Sequence, residues 1–543
     1  MTVASGAAST FKAVDYDPFA ETGSDVARVV PTTEPQREVW LADQLSREAS
    51  LAYNESVLLR FSGALNVAAL KNALLDLINR HEALRATVSA TGAELIIANA
   101  FANDARIVKF VECDALTEQG RDAIIGDAQR KAVETPFNLE RGPLFNAQIL
   151  RISATEHALL MTAHHIVCDG WSFGILVRDL ATLYRIHHRL QSGSSENSMA
   201  PAASFGDYAL AQDAAAGGAQ QRADEAYWLS CFAGAASALP VLDLPTDTSR
   251  AAWRTFTSKR EDWILDAALT ASVRKAGSRM GASLFATLLA GFTATLNRIS
   301  GSEDMVIGVP TAGQSADGLD NLVGHCVNLM PVRLVVTSGD AIGALIARAQ
   351  TTMLDGAEHQ GYTFGTLLKT LSLPRDPSRL PLVSVMFNLD QTLDANEVGF
   401  NDLDVEFSSV PRSFENFEMF INAVQVDGGL RLECQYNSDL FSEQTMRRWL
   451  LAYETLLRAL AQSADTEIGR VPLLSEADLT LLHGWNNTGR AFSRDACVHE
   501  LIERQVLLTP NHSAIRWAGA SLTYSALNAR ANRIARTLRK MGV

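Results

Sequence analysis

Cysteine is scarce and badly spaced for metal or disulfide chemistry: six residues in 543, with no CxxC pair. That pattern supports neither a zinc site nor a disulfide framework, so the expectation is reduced thiols, no metal, and a cytoplasmic setting. Long apolar runs are also missing. No stretch reaches the ~18 residues a membrane helix needs, and the N-terminus lacks a basic region followed by an apolar core. A secreted or membrane-spanning protein is not expected. Positive charge is short as well, with 47 Lys and Arg against 61 Asp and Glu, a formal net charge of −14. Phosphate backbones need a basic face, so nucleic acid is excluded as a main partner, though a local basic patch for a phosphorylated ligand is not. No short-period repeat is visible.

What remains is ordinary globular material, 47% hydrophobic and 20% charged, long enough for more than one compact unit because single cores stop growing near ~250–300 residues. Residues 1–27, rich in Ala, Ser, Thr and Gly, look like a flexible leader. Periodicity predicts helices over 34–45, 67–80, 172–190, 282–299 and 341–354, and strands over 56–61, 83–88 and 305–309. Another strand precedes His164. The stretch 190–201 (LQSGSSENSMAP) is the clearest linker,. Strands mixed with amphipathic helices indicate an α/β fold in two lobes, 28–200 and 201–470.

The most informative stretch is His164-His165-Ile166-Val167-Cys168-Asp169-Gly170-Trp171-Ser172. It follows the apolar run Ala158–Ala163 and leads into a helical pattern. Adjacent histidines at the end of a buried strand, then Asp-Gly and a helix start, can set an imidazole beside free backbone N–H groups. A second pair, His187-His188, lacks the Asp-Gly and reads as surface or packing. Cys168 alternates away from the cleft position and reads as packing too, not as a nucleophile.

The stretch resembles the HHxxxDG signature of condensation domains of nonribosomal peptide synthetases, within the superfamily that includes chloramphenicol acetyltransferase. Other stretches resemble that family's motifs in the required order. They are 33–41 (TEPQREVWL), 80–88 (RHEALRATV), 205–209 (FGDYA), 307–314 (IGVPTAGQ), 323–328 (VGHCVN), and 359–382 with RDPSRLPL at its end. The family commonly has Arg where Gln314 stands. The resemblance implies two chloramphenicol-acetyltransferase-like lobes in a V-shaped pseudo-dimer, with the active site between them. A second resemblance, in Trp485-Asn486-Asn487-Thr488, Val498–Ile502 and Leu522–Asn528, is to the opening of an adenylation domain, giving an expected linker and adenylation start over 471–543. No Gly/Ser/Thr-rich phosphate loop is reached before Val543, so this part is not expected to activate an amino acid,.

The implied reaction is amide formation, in which the α-amine of an aminoacyl thioester attacks a donor acyl thioester. An amine must be neutral to attack and must lose a proton, tasks suited to an imidazole with an ordinary pKa near 6.5. By resemblance that group is His165, as general base or as orienter of the amine. Backbone N–H groups around Gly170 and Trp171 are candidates for the tetrahedral oxyanion, and Gly170 permits close approach or an unusual φ. His164 reads as structural. By resemblance Asp169 forms a buried ion pair with Arg85 that fixes the loop. Trp171 and Ser172 are candidates to line the substrate tunnel. Asn328, read near the end of a strand, is a candidate to bind a pantetheine amide or orient a loop. Tyr208, Gln314 and His359 read as structural.

The intact His-His motif disfavours cyclising relatives, and the adenylation-like tail disfavours epimerising ones. The resemblance implies no permanently bound cofactor, only phosphopantetheine-linked substrates, with partners in an aminoacyl carrier protein and the adjoining adenylation domain, and a monomer by default. Two donor readings follow. Either fatty acyl-CoA is the donor, making this a starter domain for lipoinitiation, or an acyl, polyketide or peptidyl group arrives on a separate carrier protein. The segments 50–56 (SLAYNES) and 324–330 (GHCVNLM) resemble domains fed with acyl donors, and the leader shows no amphipathic docking helix, which favours acyl-CoA. A non-catalytic recruitment platform is the remaining alternative.

Overall fold

The computed structural model describes residues 26–100, 107–113, 117–191, 199–233, 239–316, 318–371, 373, 376–390, 399–401, 403–492 and 494–543. The chain forms two compact units, the first ending at Ser475 and the second running Glu476–Val543. Most of the proposed 1–27 leader, most of the 190–201 linker, and Arg375 of the last motif lie outside the described residues.

The first unit has two sheet-centred cores. One holds a five-stranded sheet in the order Asp404–Ser409, Asn54–Ser62, Glu156–His164, Phe145–Arg151, Val108–Glu112. Strand Glu156–His164 is buried at every position after the first, because helices cover both faces. Leu58, Ala158 and Leu160 point toward Ile125 and Ala128 of helix Glu118–Glu134. Their neighbours Val57, Leu59, Leu159 and Met161 point into the core shared with helices Val67–Arg80 and Gly170–Gln191. Period-two alternation thus feeds two apolar layers instead of one apolar and one wet face. The expected helix 67–80 is present with those bounds, capped by Asn66, whose side chain accepts from Ala69 N,.

The second core surrounds a six-stranded sheet in the order Val327–Val335, Asp304–Ala312, Val385–Asp390, Met419–Val426, Gly429–Asn437, Ser258–Leu265. Helix Leu284–Ser300 lies inside it, capped by Ser283 and closed by Gly301 at φ 75,. Segments from beyond residue 201 also enter the first core. Strand Asp404–Ser409 pairs with Asn54–Ser62, and Leu322, Val323 and Cys326 are buried among the residues of the first core. Gly324 is pressed against the Phe205 ring, where a Cβ has no room. The sequence from 319 to 326 is therefore a plug from one half of the chain set into the other.

The second unit contains helices Glu476–Asn486, Val498–Leu508 and Tyr524–Lys540 and the hairpin Ser513–Trp517/Ala520–Thr523. None of its three helices buries a residue. Among the described residues no single helix is long and apolar enough to cross a membrane.

Candidate active site

Strand Glu156–His164 ends on the first histidine of the motif, and the sheet register carries the backbone one step further. Asn54 is the partner of His164 and Glu55 the partner of Ala163, while His165 N donates to Tyr53 O at 2.8 Å. Side chains at Ala163 and His165 share a face by parity, and Glu55 projects on that face too. His164 takes the other side and is buried. Its Nδ1 accepts from Ile166 N at 3.3 Å, and its Nε2 lies 3.6 Å from Asp43 Oδ1. Gln36 Nε2 donates to Ile166 O at 2.9 Å, and the same side chain closes the capping box of helix Glu34–Asp43 with Thr33,. The loop after the strand is held from two directions.

His165 stands between groups from three parts of the chain. Its Nδ1 is 3.0 Å from His325 Nδ1. Its Nε2 is 3.6 Å from Glu55 Oε2, with the His165 side chain 19% exposed and that of Glu55 18%. The other Glu55 oxygen pairs with Arg412 Nη2 at 2.9 Å, and Arg412 Nη1 reaches Glu415 Oε2 at 3.0 Å. Burial opposes the charge on Arg412, but the two carboxylates outweigh it and hold the guanidinium firmly protonated,. The Tyr53 ring meets His165 edge-on, with centroids 6.4 Å apart. The Tyr53 hydroxyl is pushed above the usual phenol range by burial and stays neutral.

Asp169 has a different partner set from the one its motif suggested. Its Oδ1 accepts from Ser172 N at 2.9 Å and from Ser172 Oγ at 2.7 Å, and its Oδ2 accepts from Cys326 N at 3.0 Å. It caps helix Gly170–Gln191 and fastens the 319–326 plug. Arg85 forms no ion pair with it. The guanidinium of Arg85 donates to Ala98 O, and the charge that most supports it is Glu82. The expected Asp169–Arg85 pair is thus corrected: neutral donors satisfy the carboxylate, and Arg85 belongs to the Glu94–Ala98 edge. Burial raises the Asp169 pKa, and the Ser172 and Cys326 hydrogen bonds act against that rise.

Ser172 is a second correction. It is buried, its one hydroxyl proton has Gly324 O at 3.0 Å as a second acceptor within reach besides Asp169, and its Oγ accepts from Gly324 N at 3.0 Å. The side chain is fully used inside the protein and lines no tunnel. Trp171 is 42% exposed, with Nε1 donating to Asp320 O at 3.2 Å. Gly170 has no positive φ, and an added Cβ would meet no atom within 4 Å. The protein itself therefore does not require glycine there: the space beside it is open. The N–H groups of Gly170 and Trp171 have no hydrogen-bond partner among the described residues. Cys168 is buried, and burial raises its thiol pKa well above the usual range, so no thiolate is available there,.

A profile of the condensation-domain family matches residues 26–482. The chain belongs to that family. Members in nonribosomal peptide synthetases are acyltransferases that form amide bonds. The chain is 30% identical over 523 residues to surfactin synthase subunit 2 of Bacillus subtilis (strain 168), covering 96% of this chain and 14% of that one. It is 30% identical over 554 residues to malpinin synthetase of Mortierella alpina, covering 99% of this chain and 7% of that one. The chain thus spans a small part of these relatives. Among solved structures, a four-domain nonribosomal peptide synthetase superposes with a TM-score of 0.80 at 18% identity, over 97% of this chain and 40% of that one. The starter condensation domain of rhizomide synthetase gives 0.70 at 21%, over 82% and 98%. At those identities the likeness is one of fold, and the mixed α/β condensation-domain architecture is the one found here.

In this condensation domain Asn328 opens the strand Val327–Val335 instead of ending one. Its Nδ2 donates to Gln360 O at 2.8 Å and Tyr362 O at 3.2 Å, while its Oδ1 accepts from Phe364 N at 3.2 Å. Of the two parts read for Asn328, the amide performs the loop-orienting one. Gln314 and Tyr208 lie at the plug, where Gly313 is packed against Cys326 O and the Tyr208 hydroxyl, and His359 pairs with Asp224 at 2.9 Å. Glu55, His325, Arg412 and Glu415 were not singled out from sequence. Glu55 lies between Asn54 and Ser56 at the polar start of its strand, ahead of the expected strand 56–61, so no sequence signal marked it.

Proposed function

We propose that this domain transfers a fatty acyl group from acyl-CoA to the α-amine of an aminoacyl thioester held on a carrier protein, making the first amide of a lipopeptide. His165 handles the proton. The amine nitrogen attacks the thioester carbon, and its proton passes to His165. The oxyanion is met by the N–H groups of Gly170 and Trp171, and the C–S bond then breaks as the imidazolium returns a proton to the leaving thiolate. The observation that carries this reading is the His165 side chain, partly exposed, with a free Nε2 beside the open turn at Gly170.

The acyl-CoA donor is supported by the segments 50–56 and 324–330, which line the histidine with Tyr53, Glu55 and His325. The rhizomide starter domain, of the same fold, is recorded with C8-CoA and Leu-SNAC. The residues from 471 onward are proposed as linker and opening of an adenylation domain, on the motifs 485–488, 498–502 and 522–528. The reading makes the carrier protein and that domain its partners, in the cytoplasm.

The test mixes purified protein, an aminoacyl carrier and a series of acyl-CoAs of increasing length. N-acyl product with a defined chain-length preference is the expected result. Product only from an acyl group loaded on a separate carrier replaces the starter reading with condensation in trans. A His165→Ala variant should lose activity by ~10²–10⁴-fold, and undiminished turnover would remove the catalytic assignment.

A further inference from the structure

We propose that the pocket formed by Trp253, Arg254 and residues 416–418 binds the carboxylate of a small organic acid. Arg254 takes the two oxygens, and Trp253 covers the apolar remainder.

The pocket is rich in donors and short of acceptors. Arg250, Arg254 and Arg379 line it, with Glu418 as the one acid in the lining. Both oxygens of Glu418 are engaged by Arg250, at 2.7 and 2.8 Å. Asn437 Oδ1, in the same lining, already accepts from Asp439 N at 3.0 Å. Arg379 Nη2 donates to Asp243 at 3.1 Å. Its Nε is buried without a hydrogen-bond partner, although the Asp376 carboxylate stands 3.3 Å away. Two of the three cations are therefore neutralised.

Arg254 is the third. Among the described residues its guanidinium makes no ion pair and no hydrogen bond, and it lies 4.6 Å over the Phe256 ring. Stacking occupies the flat face of a guanidinium and leaves its in-plane N–H fork for an acceptor. Burial lowers the Arg254 pKa. Of the two groups that offset this, Tyr53 is neutral and Glu415 is committed to Arg412. A half-buried cation with unmet donors is costly to keep. A carboxylate in the plane of the fork satisfies two donors at once and compensates the charge. A neutral amide offers one oxygen and no charge. Beside the fork, Trp253 is 75% exposed, an apolar ring that an alkyl chain can cover,. The pocket also adjoins the candidate active site. Glu415 N donates to Phe256 O at 2.8 Å, and Glu415 holds Arg412, the anchor of Glu55 near His165.

The test titrates the 543-residue protein with hexanoate and with its neutral counterpart hexanamide, by calorimetry at low salt. Hexanoate should bind saturably and about tenfold or more tightly than hexanamide, as for a charged hydrogen-bonded pair. Arg254→Gln should remove that difference, and Arg254→Lys, which keeps the charge but not the fork, should retain part of it. Tryptophan fluorescence should change on adding hexanoate, and Trp253→Phe should abolish the change. Equal binding of acid and amide by the wild type overturns the proposal. So does a difference that survives Arg254→Gln, or a fluorescence change that survives Trp253→Phe. Inorganic phosphate bound more tightly than hexanoate overturns the carboxylate assignment. Should Arg254→Gln not fold by circular dichroism, Arg254→Lys is read in its place, and an undiminished difference there overturns the proposal equally. Two kinetic arms then identify the source of the acid, and either result supports the site. A change in the turnover of uncharged substrates on adding hexanoate assigns it to a free acid. A preference for glutamyl- over glutaminyl-pantetheine as acceptor, lost in Arg254→Gln, assigns it to a substrate side chain.

Discussion

Asp169 binds three donors with two oxygens, and every donor belongs to an element the site depends on. Its Oδ1 holds the first turn of helix Gly170–Gln191 through Ser172, and its Oδ2 holds the plug through Cys326. Replacement by Asn turns one acceptor into an NH₂ facing an N–H. Asp169→Asn should lower the unfolding free energy by about 1–3 kcal/mol, the cost of a buried donor left unpaired, and depress activity together with it. Arg85→Ala should leave activity nearly intact. In a double-mutant cycle measured by urea unfolding, Asp169 and Arg85 should couple by less than about 0.5 kcal/mol, as sites without shared partners do. A coupling of several kcal/mol would restore the ion pair. The contrast shows which part of a site a sequence exposes. The histidines and the Asp-Gly lie within one short stretch of sequence, so the strand end and the helix start around them were legible. Partners of Asp169 were not, because Cys326 reaches it, and Gly324 reaches Ser172, only after the chain has folded back across some 150 residues. Ser172 was misjudged for the same reason: its position beside the motif said nothing about the backbone that would consume its hydroxyl.

At the scale of elements, helices Glu34–Asp43 and Phe364–Leu371 were brought together by groups that no pattern linked. Gly365 N donates to Glu38 Oε1 at 2.8 Å, and Lys369 Nζ pairs with Glu34 Oε1 at 2.7 Å. Gly365 leaves no room for a Cβ against the Glu38 carboxyl, which is why a glycine opens that second helix. Burial raises the Glu38 pKa from 4.5 to about 7, against the opposing hydrogen bonds from Thr363 and Gly365. The folded state therefore keeps a proton that the unfolded state releases. The contribution of Glu38 is fully present below about pH 4.5 and is lost as pH rises through about 7,. Glu38→Gln keeps the acceptor and removes the titration. Its stability should match the wild type near pH 5 and exceed it by on the order of 1–3 kcal/mol near pH 8, read from urea midpoints across that range. A wild type with no excess loss of stability over the window would show that Glu38 is solvated. Element existence itself was well marked in sequence: helix 67–80 has its expected bounds, and the 305–309 strand extends to Asp304–Ala312. The extra residues come from pairing with Val327–Val335, which tertiary contact alone supplies.

The whole molecule is joined by segments that leave one core for the other, and the junction falls on the site. After Val385–Asp390 in the six-stranded sheet the chain adds strand Asp404–Ser409 to the five-stranded one, then returns at Met419–Val426. Arg412 lies on that return path, three residues past the borrowed strand, and it bridges Glu55 of the first core to Glu415. The mixed α/β class was legible from alternating helices and strands. The exchange of a strand between the two sheets was not, since an edge strand in a neighbouring sheet has the same sequence pattern as one at home,. A buried guanidinium held by two carboxylates gains little over a well-packed apolar group, but removing it alone strands both acids. Arg412→Met should cost about 3–5 kcal/mol in urea unfolding and abolish N-acyl product formation. Adding Glu415→Gln should return part of the stability by discharging one stranded acid, while activity stays low because Glu55 is still unanchored. Equal losses for the single and double variants would mean that Arg412 acts through packing alone, and that the two cores meet near His165 without an ionic tie.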